Sequence, residues 1–184
     1  MVTGLQTIAS RSVHPLDSAV VSVTQIHAGD TWNVIPETVV LRGTTRSFSP
    51  SVQDQVEAAM RRIVEGVCRA CGATMELRYE RRYPPTLNAP TETETAAGAA
   101  GAIVGEGNVK RDPVPSMASE DFAFFLERKP GAFIWIGSGT AATGGLLHNP
   151  NYDFNDAVLP IGASYWVQLA ESVLAKERAA AAPP

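Results

Sequence analysis

Apolar positions change period several times along this chain, and each change marks an element. Val2, Leu5, Ile8 and Ala9 recur at helical spacing, so residues 2–12 read as the tail of a helix. His14-Pro15-Leu16-Asp17 is a turn. Ser18 to Ile26 is rich in Val and Thr and predicts a strand. Ala28-Gly29-Asp30 breaks it, Asn33-Val34-Ile35-Pro36 crosses the turn, and Glu37 to Phe48 holds a second strand containing Thr38-Val39-Val40-Leu41. Together they predict an antiparallel hairpin with a long connection. Ser49-Pro50 opens a helix, with serine as N-cap and proline in the first helical position. Val52, Val56, Met60, Ile63 and Val67 mark its inner face, and Gly72 stops it. Thr74 to Glu80 alternates, as a strand with one wet face does. The order is helix end, strand, strand, helix, strand. It predicts a two-layer α+β sandwich of ferredoxin-like type that lacks its first strand.

Tyr83-Pro84-Pro85-Thr86-Leu87-Asn88-Ala89-Pro90 has no period and three prolines, which predicts a linker between domains 1–84 and 85–184. Thr91 to Val104 is a small-residue helix, capped by Thr91 or Thr93, with Glu92 and Glu94 at its positive end. A second helix is expected over 116–126, with Glu120 and Asp121 in its first turn and Pro130-Gly131 after it. Phe133-Ile134-Trp135-Ile136 reads as a short strand, followed by a glycine-rich loop from Gly137 to Gly145. Pro160 to Lys176 is a final amphipathic helix with Ile161, Tyr165, Leu169 and Val173 on one stripe, and 178–184 should fray.

Composition narrows the function classes. The 184 residues carry 45% hydrophobic and 18% charged residues, enough to build a core. A net charge of −4 gives no basic field for nucleic acid or an anionic membrane. No apolar run approaches the roughly 20 residues of a membrane span, and the N-terminus has no signal-peptide pattern, so a cytoplasmic protein is expected. Cys68-Arg69-Ala70-Cys71 falls at a predicted helix C-terminus, where the dipole disfavours a thiolate, and no second pair completes a zinc site. Two reduced cysteines, one facing the core, are expected.

Candidate chemistry gathers in Leu147-His148-Asn149-Pro150-Asn151-Tyr152-Asp153-Phe154-Asn155-Asp156. His148 there is either a metal or proton-transfer histidine or a loop histidine bonded to a nearby carboxylate. Residue types alone favour the second, because a zinc site takes about three or four protein ligands and His148 with Asp153 or Asp156 supplies too few. His14 beside proline and His27 at a strand end read as exposed polar residues. Gly137-Ser138-Gly139-Thr140-Ala141-Ala142 matches a dinucleotide fingerprint in letters, but no helix opens in the loop to receive a pyrophosphate.

Four stretches in order then carry a resemblance. Asn33-Val34-Ile35-Pro36 with Arg42-Gly43-Thr44-Thr45-Arg46, Ser119-Glu120-Asp121-Phe122, Pro130-Gly131-Ala132-Phe133, and Leu147 to Asp156 resemble the aminoacylase and hippurate hydrolase family of dinuclear-metal amidohydrolases, to which indole-acetyl-amino-acid hydrolases are related. The resemblance implies that residues 1–84 form most of a lid domain that also dimerises. It implies that residues 85–184 form the C-terminal part of an α/β metallohydrolase catalytic domain. By the same likeness His148 matches a ligand of a divalent metal pair (Zn, Mn, Co or Ni). Asn33 and Arg46 match residues that reach the carboxylate of an N-acyl amino acid, and Ser119, Glu120 and Asp121 lie near the substrate. The family's Cys-x-His segment, paired glutamates (general base and ligand) and further ligand histidine have no counterpart here. The chain alone is therefore expected to be inactive, as the C-terminal portion of such a hydrolase or as a dimerisation module derived from one.

Overall fold

The computed structural model describes residues 1–139 and 147–181, with side chains to 175. It is an α+β chain of two compact units: Met1–Pro85 with Ser116–Glu120, and Thr86–Pro115 with Asp121–Pro184. No helix among the described residues is long and apolar enough to cross a membrane.

In the first unit, α1 (Val2–Thr7) runs into a π turn at Ile8–Ser12. Strands β1 (Ala19–Ala28) and β2 (Val39–Ser47) form an antiparallel two-stranded sheet, with Ala19 opposite Ser47 and Ala28 opposite Val39. The register slips between Val23 and Gln25, a bulge. Gly43 sits at that point because a Cβ there would lie 2.1 Å from the Ser22 carbonyl oxygen. Helix α2 (Pro50–Ala70) starts as its sequence signals require: Ser49 Oγ accepts the Val52 N–H, and proline opens the helix. It ends in a Schellman turn, with Ala73 N–H donating to the Cys68 carbonyl, Gly72 N–H to that of Arg69, and Gly72 at φ +66°. Leu5, Ile8, Val13, Val21, Val52, Val56, Ala59 and Val64 make the core of this unit.

The expected third strand is not one. Residues 73–89 carry no ladder, although 74–80 alternate as the pattern required, with Met75, Leu77 and Tyr79 half-buried and Thr74, Glu76, Arg78 and Glu80 exposed. Side chains fasten the segment instead. Met75 packs on the core, Tyr79 Oη and Thr45 Oγ1 share a 2.6 Å hydrogen bond, and Arg81 bridges Asp54 (2.7 Å) and Glu57 (2.7 Å) of α2.

In the second unit, α3 (Pro90–Val104) packs against α5 (Leu159–Ala181). Neither expected cap operates: α3 begins at Pro90 after Ala89, and the Thr93 hydroxyl donates to the Ala89 carbonyl. The expected helix over 116–126 shrinks to α4 (Phe122–Leu126), because Ser116–Glu120 belongs to the first unit. There the Met117 carbonyl accepts from Arg46 and Ser116 Oγ accepts the Ala118 N–H, which holds the segment out of a helix. Residues 133–136 are extended without a ladder, and Phe133 is held at both backbone groups by the Asn88 amide (2.8 and 2.9 Å). On α5 the buried stripe is centred on Tyr165, with Ile161 and Val173 turned further outward than their spacing implied. The glycine-rich loop expected over 137–145 lies largely outside the described residues.

Candidate functional site

His148 stands in a turn just after the undescribed stretch, exposed, with φ +66°. It is the only non-glycine residue with positive φ among the described residues. Histidine, like Asn and Asp, tolerates this left-handed region better than branched residues do, and a residue held there is worth a functional question. The segment beyond is shaped by its amides. Asn149 Oδ1 accepts the Asn151 N–H and Asn149 O the Tyr152 N–H, both at 2.9 Å, and Asn155 Oδ1 caps the short 3-10 turn Asp156–Val158. Asp153 and Asp156 are exposed as well.

Among the described residues no group of three or more His, Cys, Asp or Glu side chains could hold a metal ion. One imidazole with exposed acids nearby does not fit a metal pair, which needs several converging donors. The other histidines lie elsewhere: His14 Nδ1 accepts the Leu16 N–H, and His27 Nε2 lies 3.3 Å from Gln25 Oε1. Cys68 is half-buried against the core, Cys71 is exposed, and both are free.

In the first unit, exposed Arg46 near the end of β2 donates from Nη1 to the Met117 carbonyl, which ties it to the segment carrying Ser119 and Glu120. A guanidinium has five N–H donors, so this one bond does not exhaust it. Asn33 is not brought to the same place. It sits in the loop off the Ala28–Val39 end of the hairpin, accepting from Thr31 Oγ1 at 3.2 Å, whereas Arg46 pairs with Val20 toward the other end. The Met117 carbonyl was missed in the sequence because a main-chain acceptor leaves no residue-type signal. A shallow groove of about 450 Å³ lined by Asp54, Glu57, Arg61, Arg62, Glu65 and Arg81 contains none of these candidates and no nucleophile or histidine.

Residues 6–172 match the sequence profile of peptidase family M20/M25/M40. The chain belongs to that family. It is 34% identical over 174 residues to the N-acetylcysteine deacetylase of Bacillus subtilis, covering 95% of this chain and 44% of the relative. It is 32% identical over 170 residues to the hippurate hydrolase of Campylobacter jejuni, covering 92% and 44%. Among solved structures it is similar to a dinuclear metal-binding M20 peptidase of Bacillus subtilis, with TM-score 0.68, 35% identity, and 85% and 42% coverage. The chain thus spans less than half the length of these relatives.

Proposed function

We propose that this chain is the C-terminal portion of a metal-dependent amidohydrolase that cleaves the amide bond of N-acyl or N-aroyl amino acids. The family match over residues 6–172, which takes in Arg46, Ser119, Glu120 and His148, carries this reading. In it, Arg46 grips the substrate carboxylate through two parallel hydrogen bonds, and that remote contact orients the amide. Ser119 and Glu120 line the substrate beside Arg46, whereas Asn33, in the loop at the opposite end of the hairpin, has no part in that grip. His148 is one arm of the metal centre, whose remaining donors come from polypeptide outside the residues described. Residues 1–84 then act as the lid and 85–184 as catalytic-domain scaffold, in a cytoplasmic protein.

The chain should be co-expressed with the part of the Bacillus subtilis N-acetylcysteine deacetylase that it does not match. N-acetyl and N-benzoyl amino acids are then supplied with Mn²⁺, Co²⁺ or Zn²⁺. Turnover is expected only from the pair and is lost in His148→Ala. Arg46→Ala should raise KM by about ten- to a hundredfold, the value of a charge-assisted hydrogen bond. Equal activity from the wild-type and His148→Ala pairs would contradict the reading.

Exposed strand residues favour a second role for the same unit, homodimerisation. Ile26 (59% exposed), Val39 (55%) and Val40 (45%) stand open on the hairpin, and strand addition between copies would cover them. Sedimentation equilibrium tests this, and a strict monomer at high concentration counts against it.

A further inference from the structure

The two cysteines of the chain stand three residues apart at the end of α2, and the proposed hydrolase chemistry uses neither. Cys68 is half-buried and packs against the aliphatic core, whereas Cys71 is exposed; both are free thiols. Residues three apart on a helix share a face. The turn between these two is tighter than a plain α-helical one. The Cys71 N–H donates to the Cys68 carbonyl at 3.1 Å as well as to that of Val67 at 3.2 Å. A chain closed by such an i to i+3 bond holds its end α-carbons less than about 7 Å apart, and a disulfide spans about 4.4–6.8 Å. Cys71 has already left the helical conformation, at φ −102° and ψ 8°. Gly72 follows in the left-handed region at φ +66°, and a Cβ built on it would meet nothing within 4 Å. One thiol thus sits on the adaptable side of the turn with open space beside it, and the other on the rigid side.

We propose that Cys71 and Cys68 form a thiol–disulfide exchange site that takes low-molecular-weight disulfides. The Cys71 thiol gives its proton to water, and the thiolate attacks one sulfur of the reagent R–S–S–R. A Cys71–S–S–R bond forms, the reagent's own S–S bond breaks, and the departing R–S⁻ takes up a proton. Cys68 then loses its proton in the same way, attacks the Cys71 sulfur, expels the second R–S⁻ and closes the bridge. One protein dithiol and one small disulfide become one protein disulfide and two small thiols. The order follows from access, because an incoming reagent needs an exposed sulfur and Cys71 is the exposed one. Cβ atoms three apart on a helix stand about 5–6 Å from each other and those of a disulfide about 3.5–4.5 Å, so closure draws the last turn in by roughly 1–2 Å. Strain of that kind makes a disulfide easier to reduce, so the bridge is a reversible mark and the free thiols are the resting form. A helix C-terminus does not stabilise a thiolate, which slows the first attack but does not oppose the product. The bridge clamps the turn in which the Cys68 carbonyl accepts the Ala73 N–H at 2.9 Å. The exchange site lies wholly in the first unit and does not depend on the hydrolase reading.

Treatment of the whole reduced chain with excess oxidised glutathione tests this. Remaining thiols are blocked with iodoacetamide, and the chain is cut with trypsin, which cleaves after Arg69 and so separates the two cysteines. The predicted product is residues 63–69 joined to residues 70–78 by a disulfide, with no glutathione retained. Cys68→Ala should stop at the first step, with one glutathione held on Cys71. Cys71→Ser should react about tenfold more slowly or slower still, because its remaining thiol is half-buried. In the bridged chain the Ala73 amide should exchange several-fold more slowly than in the reduced one. Five results would overturn the proposal: both thiols still open to alkylation, glutathione left on the wild-type chain without a bridge, disulfides between chains in place of the internal one, equal reaction rates for wild type and Cys71→Ser, or unchanged exchange at Ala73.

Discussion

The two units bury different kinds of residue. The first closes Leu5, Ile8, Val13, Val21, Val52, Val56 and Val64 into one aliphatic cluster, with Ile8 fully inaccessible. The second buries Ala96, Ala97, Ala99, Ala123 and Tyr165 and leaves Phe125, Trp135, Trp166, Val167 and Leu174 in the open. Removing apolar area from water contributes roughly 25 cal/mol per Å², so a face of alanines stabilises far less than a face of valines and isoleucine. Small side chains let α3 and α5 approach closely but give little transfer free energy. The first unit therefore gains more from apolar burial than the second does. The second resembles a piece of a larger core.

The contrast is broken most directly at Ile8. Ile8→Ala should cost about 2–5 kcal/mol, measured by urea unfolding, because the fully enclosed side chain leaves a cavity. A loss below 1 kcal/mol would mean that this cluster does not carry the unit. Ala96→Leu asks the reverse question of the second unit. If the α3 surface is truly closed, overpacking costs about 1–3 kcal/mol, and a neutral or stabilising outcome would show the helices free to separate. Ser49→Ala removes the N-cap of α2 and should cost about 1 kcal/mol in the same unfolding assay.

Smaller effects sharpen the picture. Burial raises the Tyr165 hydroxyl above its ordinary value of about 10. The folded chain therefore resists ionisation that the unfolded chain accepts, so this residue's contribution is complete below about pH 10 and declines above it. Thermal melts of wild type and Tyr165→Phe across that range should diverge only on the alkaline side. Arg81→Ala should change global stability little in the same unfolding assay, because solvent screens both its ion pairs. It should nevertheless speed limited proteolysis within residues 74–80, because it removes one of the segment's attachments.

What the sequence made legible was local. The limits of α2 were readable because serine, proline and glycine act within one turn of their own positions. The hairpin was readable because its period is two and its break is Gly29-Asp30. The third strand failed because alternation reports which face is buried, whereas a ladder depends on a partner distant in sequence. The helix over 116–126 failed for a similar reason: Arg46, seventy residues upstream to the nearest ten, claims the Met117 carbonyl. In the candidate site, Arg46 and His148 were visible only through a resemblance of motifs. Neither spacing nor residue type foretold that one would lie beside Met117 or that the other would adopt a left-handed backbone.

The most direct measurement is the metal content of the purified chain after equilibrium dialysis against Zn²⁺, Mn²⁺ and Co²⁺, compared with His148→Ala. The predicted result is no stoichiometric uptake by either form, with tight uptake appearing only when polypeptide supplying the remaining donors is present and only with His148 intact. A metal pair held stoichiometrically by the isolated chain would contradict it.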